Sequence, residues 1–176
     1  MIDAVPDVGT YLELDGRPAV RFERIYAHPL ERVWEAVSTS SGLGHWFPGD
    51  VDFDLGSGTV SFGGDPYTEG TEGRVLVWDP PRRLAFTWGD DELHFELEAL
   101  DPRRCRFVLI DFLDECAAAA RNATGWDVCL SELEKHVAGH PSGGPHGSGA
   151  TPWQPLYDAY VARGLPSGAW IPTETP

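Results

Sequence analysis

Few groups in this chain are placed to do chemistry. Its six histidines, His28, His45, His94, His136, His140 and His146, never fall at metal-ligand spacing. His140 and His146 lie in a glycine-rich stretch, and His136 reads as a surface residue. His45, beside Trp46, could face an opening, although a hydrogen-bonded structural histidine is the simpler reading. Cys105, Cys116 and Cys129 are odd in number with no close pair, so they read as reduced thiols, mostly buried. Asp90, Asp91 and Glu92 read as a turn and its charged edge. No Ser-His-Asp order and no phosphate-cradling loop occurs. One acid stands apart. Asp111 continues the two-residue period of Phe107 and Leu109, and in unbroken register it points inward. A buried carboxylate is a site candidate. The simpler expectation is a strand-end acid that is solvated or paired with an arginine. Neither a cofactor nor a metal is expected.

Charge narrows the partners. Thirteen basic against 28 acidic residues leave a net charge of −15. Such a chain repels phosphate backbones and anionic lipid surfaces, which excludes nucleic acid and membrane surfaces as expected partners. The N-terminus MIDAVPDVGTYLEL has no basic start and no apolar run. No stretch reaches transmembrane length, so a cytoplasmic location is expected.

The elements that must position these residues follow from periodicity. Tyr11–Leu14, the Asp15-Gly16 turn and a strand from Ala19 to Ala27 form a hairpin. The second strand's alternation is broken at Arg24 and Ile25, so its inward face stays open. Pro29 opens a helix carrying Leu30, Val33, Trp34 and Val37 at helical spacing. Short strands separated by Gly, Pro and Asp turns run from Asp50 to Phe112. Leu93, Phe95 and Leu97 alternate with His94, Glu96 and Glu98 in one of them. Then comes a long helix within 115–138, with Trp126, Leu130, Leu133 and Val137 stacked on one face. Gly125, next to Trp126, leaves room for a close approach. Hairpins between two helices predict an α+β fold, helices on one face of a curved antiparallel sheet. Residues 140–152 read as a flexible connector. Residues 153–176 read as an extension that docks on the same domain through Trp153, Leu156, Tyr157 and Tyr160.

Several short motifs occur in a telling order. They are Ala27-His28-Pro29 before the Val33-Trp34 helix, Leu43-Gly44-His45-Trp46, Gly73-Arg74-Val75, Pro80-Pro81-Arg82-Arg83-Leu84, Thr87-Trp88 and Gly125-Trp126. Together they resemble the START-like, helix-grip superfamily, which also holds polyketide cyclases and birch-pollen-type allergens. Within it they look most like bacterial homologues of the C-terminal domain of the heat-shock-protein ATPase activator. The resemblance covers about Ala19 to Gly139. Residues 1–139 are expected to form one START-like domain, with the N-terminal hairpin, which lies outside the resemblance, as an extension of it. About six or seven antiparallel strands would wrap around the long C-terminal helix. It implies no shared catalytic signature.

The resemblance also implies a deep cavity between helix and sheet. From the sheet and its approach, Trp46, Phe53, Phe62, Phe86 and Trp88 are expected to line it. Phe95, Phe107, Leu109 and Asp111 would complete the sheet wall, and Trp126 and Leu130 would face it from the helix. Such walls give dispersion and desolvation but few groups able to move protons. The expected function is therefore non-catalytic binding of a small apolar or aromatic molecule. A protein-interaction module of the chaperone-activator kind and an enzyme of the cyclase or hydrolase type are the alternatives. Convergent acids or histidines inside the cavity would favour the enzyme.

Overall fold

A computed structural model describes residues 8–64 and 70–171. Eight strands form one antiparallel, unclosed sheet. They are β1 (Thr10–Leu14), β2 (Arg17–Tyr26), β3 (Asp50–Asp54), β4 (Thr59–Gly63), β5 (Glu72–Asp79), β6 (Arg83–Trp88), β7 (Asp91–Asp101) and β8 (Arg104–Phe112). Their spatial order is β1-β2-β8-β7-β6-β5-β4-β3. The count exceeds the six or seven expected because the hairpin strand β1 pairs along β2 and joins the same sheet. Asp15 and Gly16 both adopt positive φ, 52° and 77°, the turn that suits the twist of a two-residue hairpin.

Helix α1 (Leu30–Ser38) and the single turn α2 (Ser40–Leu43) connect β2 to β3. The long helix α3 (Ala119–Val137) follows β8 through a short 3-10 turn at Cys116–Ala118. It buries Ala119, Ala123, Trp126, Leu130, Leu133 and Val137, so its apolar stripe belongs to the core as its spacing predicted. The inward face of β2, left open by its sequence, is Val20, Phe22 and Tyr26. Ile25 points outward, and the Arg24 guanidinium lies 5.6 Å from the Phe22 ring centroid.

Helix α4 (Trp153–Ala162) packs on α3. Tyr160 is fully buried there, its hydroxyl bonded to the Asp127 carboxylate and accepting from Gly9 N at 2.9 Å. Trp153, Leu156 and Tyr157 are half-buried. The chain between α3 and α4 is held to the body at several points. Gly143 N donates to Glu132 Oε2 at 3.1 Å, Lys135 Nζ donates to Gly149 O at 3.2 Å, and His146 Nε2 lies 3.2 Å from Pro48 O. After α4 the chain turns back over the start of α3, where Ala120 N donates to Pro166 O at 2.9 Å. Among the described residues no helix is long and apolar enough to cross a membrane.

Candidate functional site

The end of β8 meets the first turns of α3. Asp111 keeps the register of Phe107 and Leu109, so its carboxyl faces the helix and is fully buried. The solvated or arginine-paired strand end expected as the simpler reading does not occur. Asp111 Oδ2 accepts from Trp126 Nε1 at 2.8 Å and from Asn122 Nδ2 at 2.9 Å. Asn122 and Trp126 stand four residues apart, one above the other on the same helix face. The Asn122 amide also donates to Asp91 Oδ2 at 2.9 Å. Asp91 opens β7 just after the Gly89 turn, and its Oδ1 accepts from Asp114 N at 2.9 Å. One amide thus ties two carboxyls together. Asn122 is itself held by Arg121, whose Nε donates to Asn122 Oδ1 at 3.0 Å while Nη1 donates to Trp170 O at 3.0 Å.

The electrostatics follow from this packing. Burial first, and the neighbouring Asp91 charge second, push Asp111 up to about 7, against the lowering effect of the Trp126 and Asn122 bonds. Asp91 is raised as well, chiefly by burial, while its bonds from Asp114 N and Asn122 oppose the shift. The two carboxyls titrate as a unit that keeps a proton near neutrality, where ordinary carboxyls are bare. Asp111 Oδ1 accepts from no N–H or O–H donor among the described residues, and the Asp91 carboxyl lies close enough to share the retained proton with Asp111. The buried Trp88 Nε1 has no hydrogen-bond partner among the described residues. Trp88 lies against Trp126 with ring centroids 5.3 Å apart, and Phe47 touches both, at 5.4 Å and 5.6 Å. Beside Asn122 and Trp126, a Cβ added at Gly125 would meet nothing within 4 Å.

The other residues expected to line a cavity form the middle of the core and touch one another. Phe86 lies 5.4 Å from Phe53, 6.2 Å from Phe62 and 5.7 Å from Phe95. Phe95 lies 5.7 Å from Phe107 and 5.8 Å from Trp46. Trp46 donates through Nε1 to Ala36 O at 2.9 Å. Leu109 and Leu130 are buried in the same cluster, and Phe53 is half-buried. The structure therefore gathers Trp88, Asp111 and Trp126 at one polar end and packs the remaining rings together. One surface pocket, lined by Arg32, Glu35 and His136 among others, and another beside Gly73 and Thr87 lie elsewhere. His136 is half-buried and stacks on His45 at 4.0 Å. Burial first, then His45 and Arg32, lower its pKa.

Sequence alone marks none of Asp91, which reads as the charged edge of a turn, Asn122 and Phe47 as part of this region. Asn122 carried a usable signal, its four-residue spacing from Trp126. Asp91 carried none, because a hairpin edge hides which of its acids turns inward.

Arranged this way, the polar end can hold a proton on its paired carboxyls and donate a hydrogen bond from Trp88. Comparison with known proteins places the chain. EF2215 of Enterococcus faecalis, a conserved protein of unknown function, superposes with a TM-score of 0.70 at 17% identity, covering 88% of this chain and 89% of its own. CalU16 of Micromonospora echinospora gives 0.66 at 20% identity over 91% of this chain and 98% of its own. A Bordetella parapertussis protein gives 0.65 at 24% identity over 92% and 91%. These likenesses establish the fold. No curated protein matches the chain. Residues 27–138 match the family model described as Activator of Hsp90 ATPase homolog 1-like protein, and the chain belongs to that family.

Proposed function

We propose that the protein binds a small molecule with an apolar or aromatic body and does not transform it. The observation that carries this reading is the buried Asp111 carboxyl, one oxygen of which accepts from no N–H or O–H donor among the described residues, set in an aromatic interior. A buried polar atom without a partner costs roughly 1–3 kcal/mol, so a fold that keeps one gains by offering it to something else. The half-buried Trp88 and the open side of α3 at Gly125 are the proposed way in. Ring faces of Trp88, Trp126 and Phe47 would supply the apolar contact.

A second reading has a specific observation behind it. Asp91 provides the second positioned acid that proton-transfer chemistry needs, which favours an enzyme. One experiment separates the two. A panel of aromatic and fatty compounds is followed by tryptophan fluorescence, with product analysis on every binder. Saturable quenching without product supports binding. Turnover abolished by Asp111→Asn establishes the enzyme instead. Absence of binding across the panel moves the function to a protein partner, as the family's name suggests.

A further inference from the structure

We infer that residues 168–171, which follow α4 and lie across the start of α3, form a strap controlled by one proton: seated while the Asp91–Asp111 pair shares that proton, and loosened when the pair gives it up. The inference goes beyond the binding reading above. Neither its geometry nor its test involves a ligand.

The strap has a fixed root and a lightly held tip. At the root, Leu165 packs against the core and its N–H donates to Tyr160 O at 3.2 Å, while Ala120 N donates to Pro166 O at 2.9 Å. Gly168 then takes a φ of 116°, a conformation that side chains rarely allow, so the chain turns at a residue able to turn further. Beyond it, Ala169 N donates to Ala117 O at 3.3 Å, and Arg121 Nη1 donates to Trp170 O at 3.0 Å. The Trp170 side chain is 66% exposed, so its burial adds little to the hold.

Arg121 joins this tip to the buried carboxyls. Its Nε donates to Asn122 Oδ1 at 3.0 Å. The Asn122 amide uses its two hydrogens on Asp91 Oδ2 and Asp111 Oδ2, at 2.9 Å each. Turned over, that amide would set its oxygen against two carboxyls, so the relay has one orientation.

Charge sets the direction. The surrounding elements bring few ionisable groups to the pair. Beside Asp91 in β7, Glu92 is engaged with Arg17 and His94. Asp114, after β8, donates its backbone N–H to Asp91 and adds a repelling charge. β2 and β7 place the apolar Val20 and Leu93 opposite Asp111, and β6 places Trp88 opposite Asp91. From α3 come Asn122, Trp126 and the cation that acts on Asp91, Arg121. With the proton shared, the pair carries one negative charge. Without it, the pair carries two, and the Coulomb attraction on Arg121 grows in proportion. The guanidinium moves toward the carboxylates, Trp170 O loses its donor, and the tip is left to the longer Ala169 bond. Asp111 titrates near 7, so the strap loosens on the alkaline side of neutrality.

The test follows solvent exchange of the Ala169 amide by NMR in the full-length protein, from about pH 5.5 to about 8.5, with Asp111→Asn measured beside it so that intrinsic exchange cancels. In the variant Asp91 alone ionises, so its site keeps the single charge of the protonated pair. Wild type and variant should exchange alike at the acid end. At the alkaline end wild type should exchange roughly three- to ten-fold faster, the factor that one hydrogen bond is worth. The Leu130 amide in the middle of α3 should show a smaller change, which marks the opening as local. Arg121→Gln removes the charge that responds, and its Ala169 amide should exchange fast with no step near neutrality beyond the intrinsic one. If Asp111→Asn fails to fold, the comparison of wild type with Arg121→Gln decides. A ratio flat across pH, a step that survives in Arg121→Gln, or an equal change at Leu130 overturns the strap assignment and leaves the binding reading untouched.

Discussion

The middle of the core and its polar end are built on the same sheet and share the same buried interior, yet they treat polar atoms differently. In the aromatic middle, the Trp46 indole hands its N–H to the Ala36 carbonyl, and Phe95 beside it and Phe86 beside Phe95 have no polar atom to satisfy. At the polar end, Trp126 spends its N–H on a carboxyl, the Trp88 N–H finds no partner among the described residues, and Asp111 shares one amide with Asp91. The middle is what a stable core needs. The polar end costs stability, and stability alone gives no reason to keep it. That contrast points to the region around Asp111 as the functional part.

The largest expected effect concerns Trp126. Trp126→Ala removes a buried ring and the donor that holds Asp111, and should cost roughly 3–5 kcal/mol in chemical denaturation. Phe86→Ala in the middle should cost a similar amount through packing alone. The difference between them should appear in pH dependence, because only the Trp126 change exposes the carboxyl pair.

The second effect is that pH dependence. Asp111 rises from 3.8 in the unfolded chain to about 7 in the fold, so the folded protein keeps a proton that the unfolded chain gives up. Its contribution to stability is full below about pH 3.8 and is lost as pH rises toward 7. Asp111→Asn should remove most of that fall, and unfolding midpoints of wild type and variant measured across this window should diverge in the variant's favour as pH rises. Parallel curves would show that the carboxyl is not held protonated.

The smallest effect separates function from stability at one residue. A Cβ at Gly125 meets nothing, and glycine costs a helix interior up to about 1 kcal/mol relative to alanine. Gly125→Ala should therefore leave stability unchanged or slightly higher. Ligand affinity should fall if the open side of α3 is the way in, and a variant that binds as well as wild type places the route elsewhere.

Much of this architecture is legible in the sequence. Trp126, Leu130, Leu133 and Val137 announced the gripped helix through spacing alone, and the Asp15-Gly16 turn announced the first hairpin. Asp111 was readable as inward from the period of Phe107 and Leu109. What surrounds it was not, since neighbours across a sheet are set by register between strands far apart in the chain. Asp91 reaches Asp111 only because β7 and β8 pair with Leu93 opposite Asp111, and the residues around the Gly89 turn look alike in sequence. The arrangement of the aromatics was also hidden. Periodicity says that Phe86 and Phe95 face inward, but not that they touch each other rather than surround a space.

The most direct test watches the indole N–H signals of Trp46, Trp88 and Trp126 by nitrogen-15 NMR while 2-naphthol is added. Trp46 reports the aromatic middle, and Trp88 and Trp126 report the polar end. Binding at the polar end predicts saturable shifts at Trp88 and Trp126 with Trp46 unmoved. A shift centred on Trp46, or no movement at Trp88 and Trp126 while ligand binds, would contradict it.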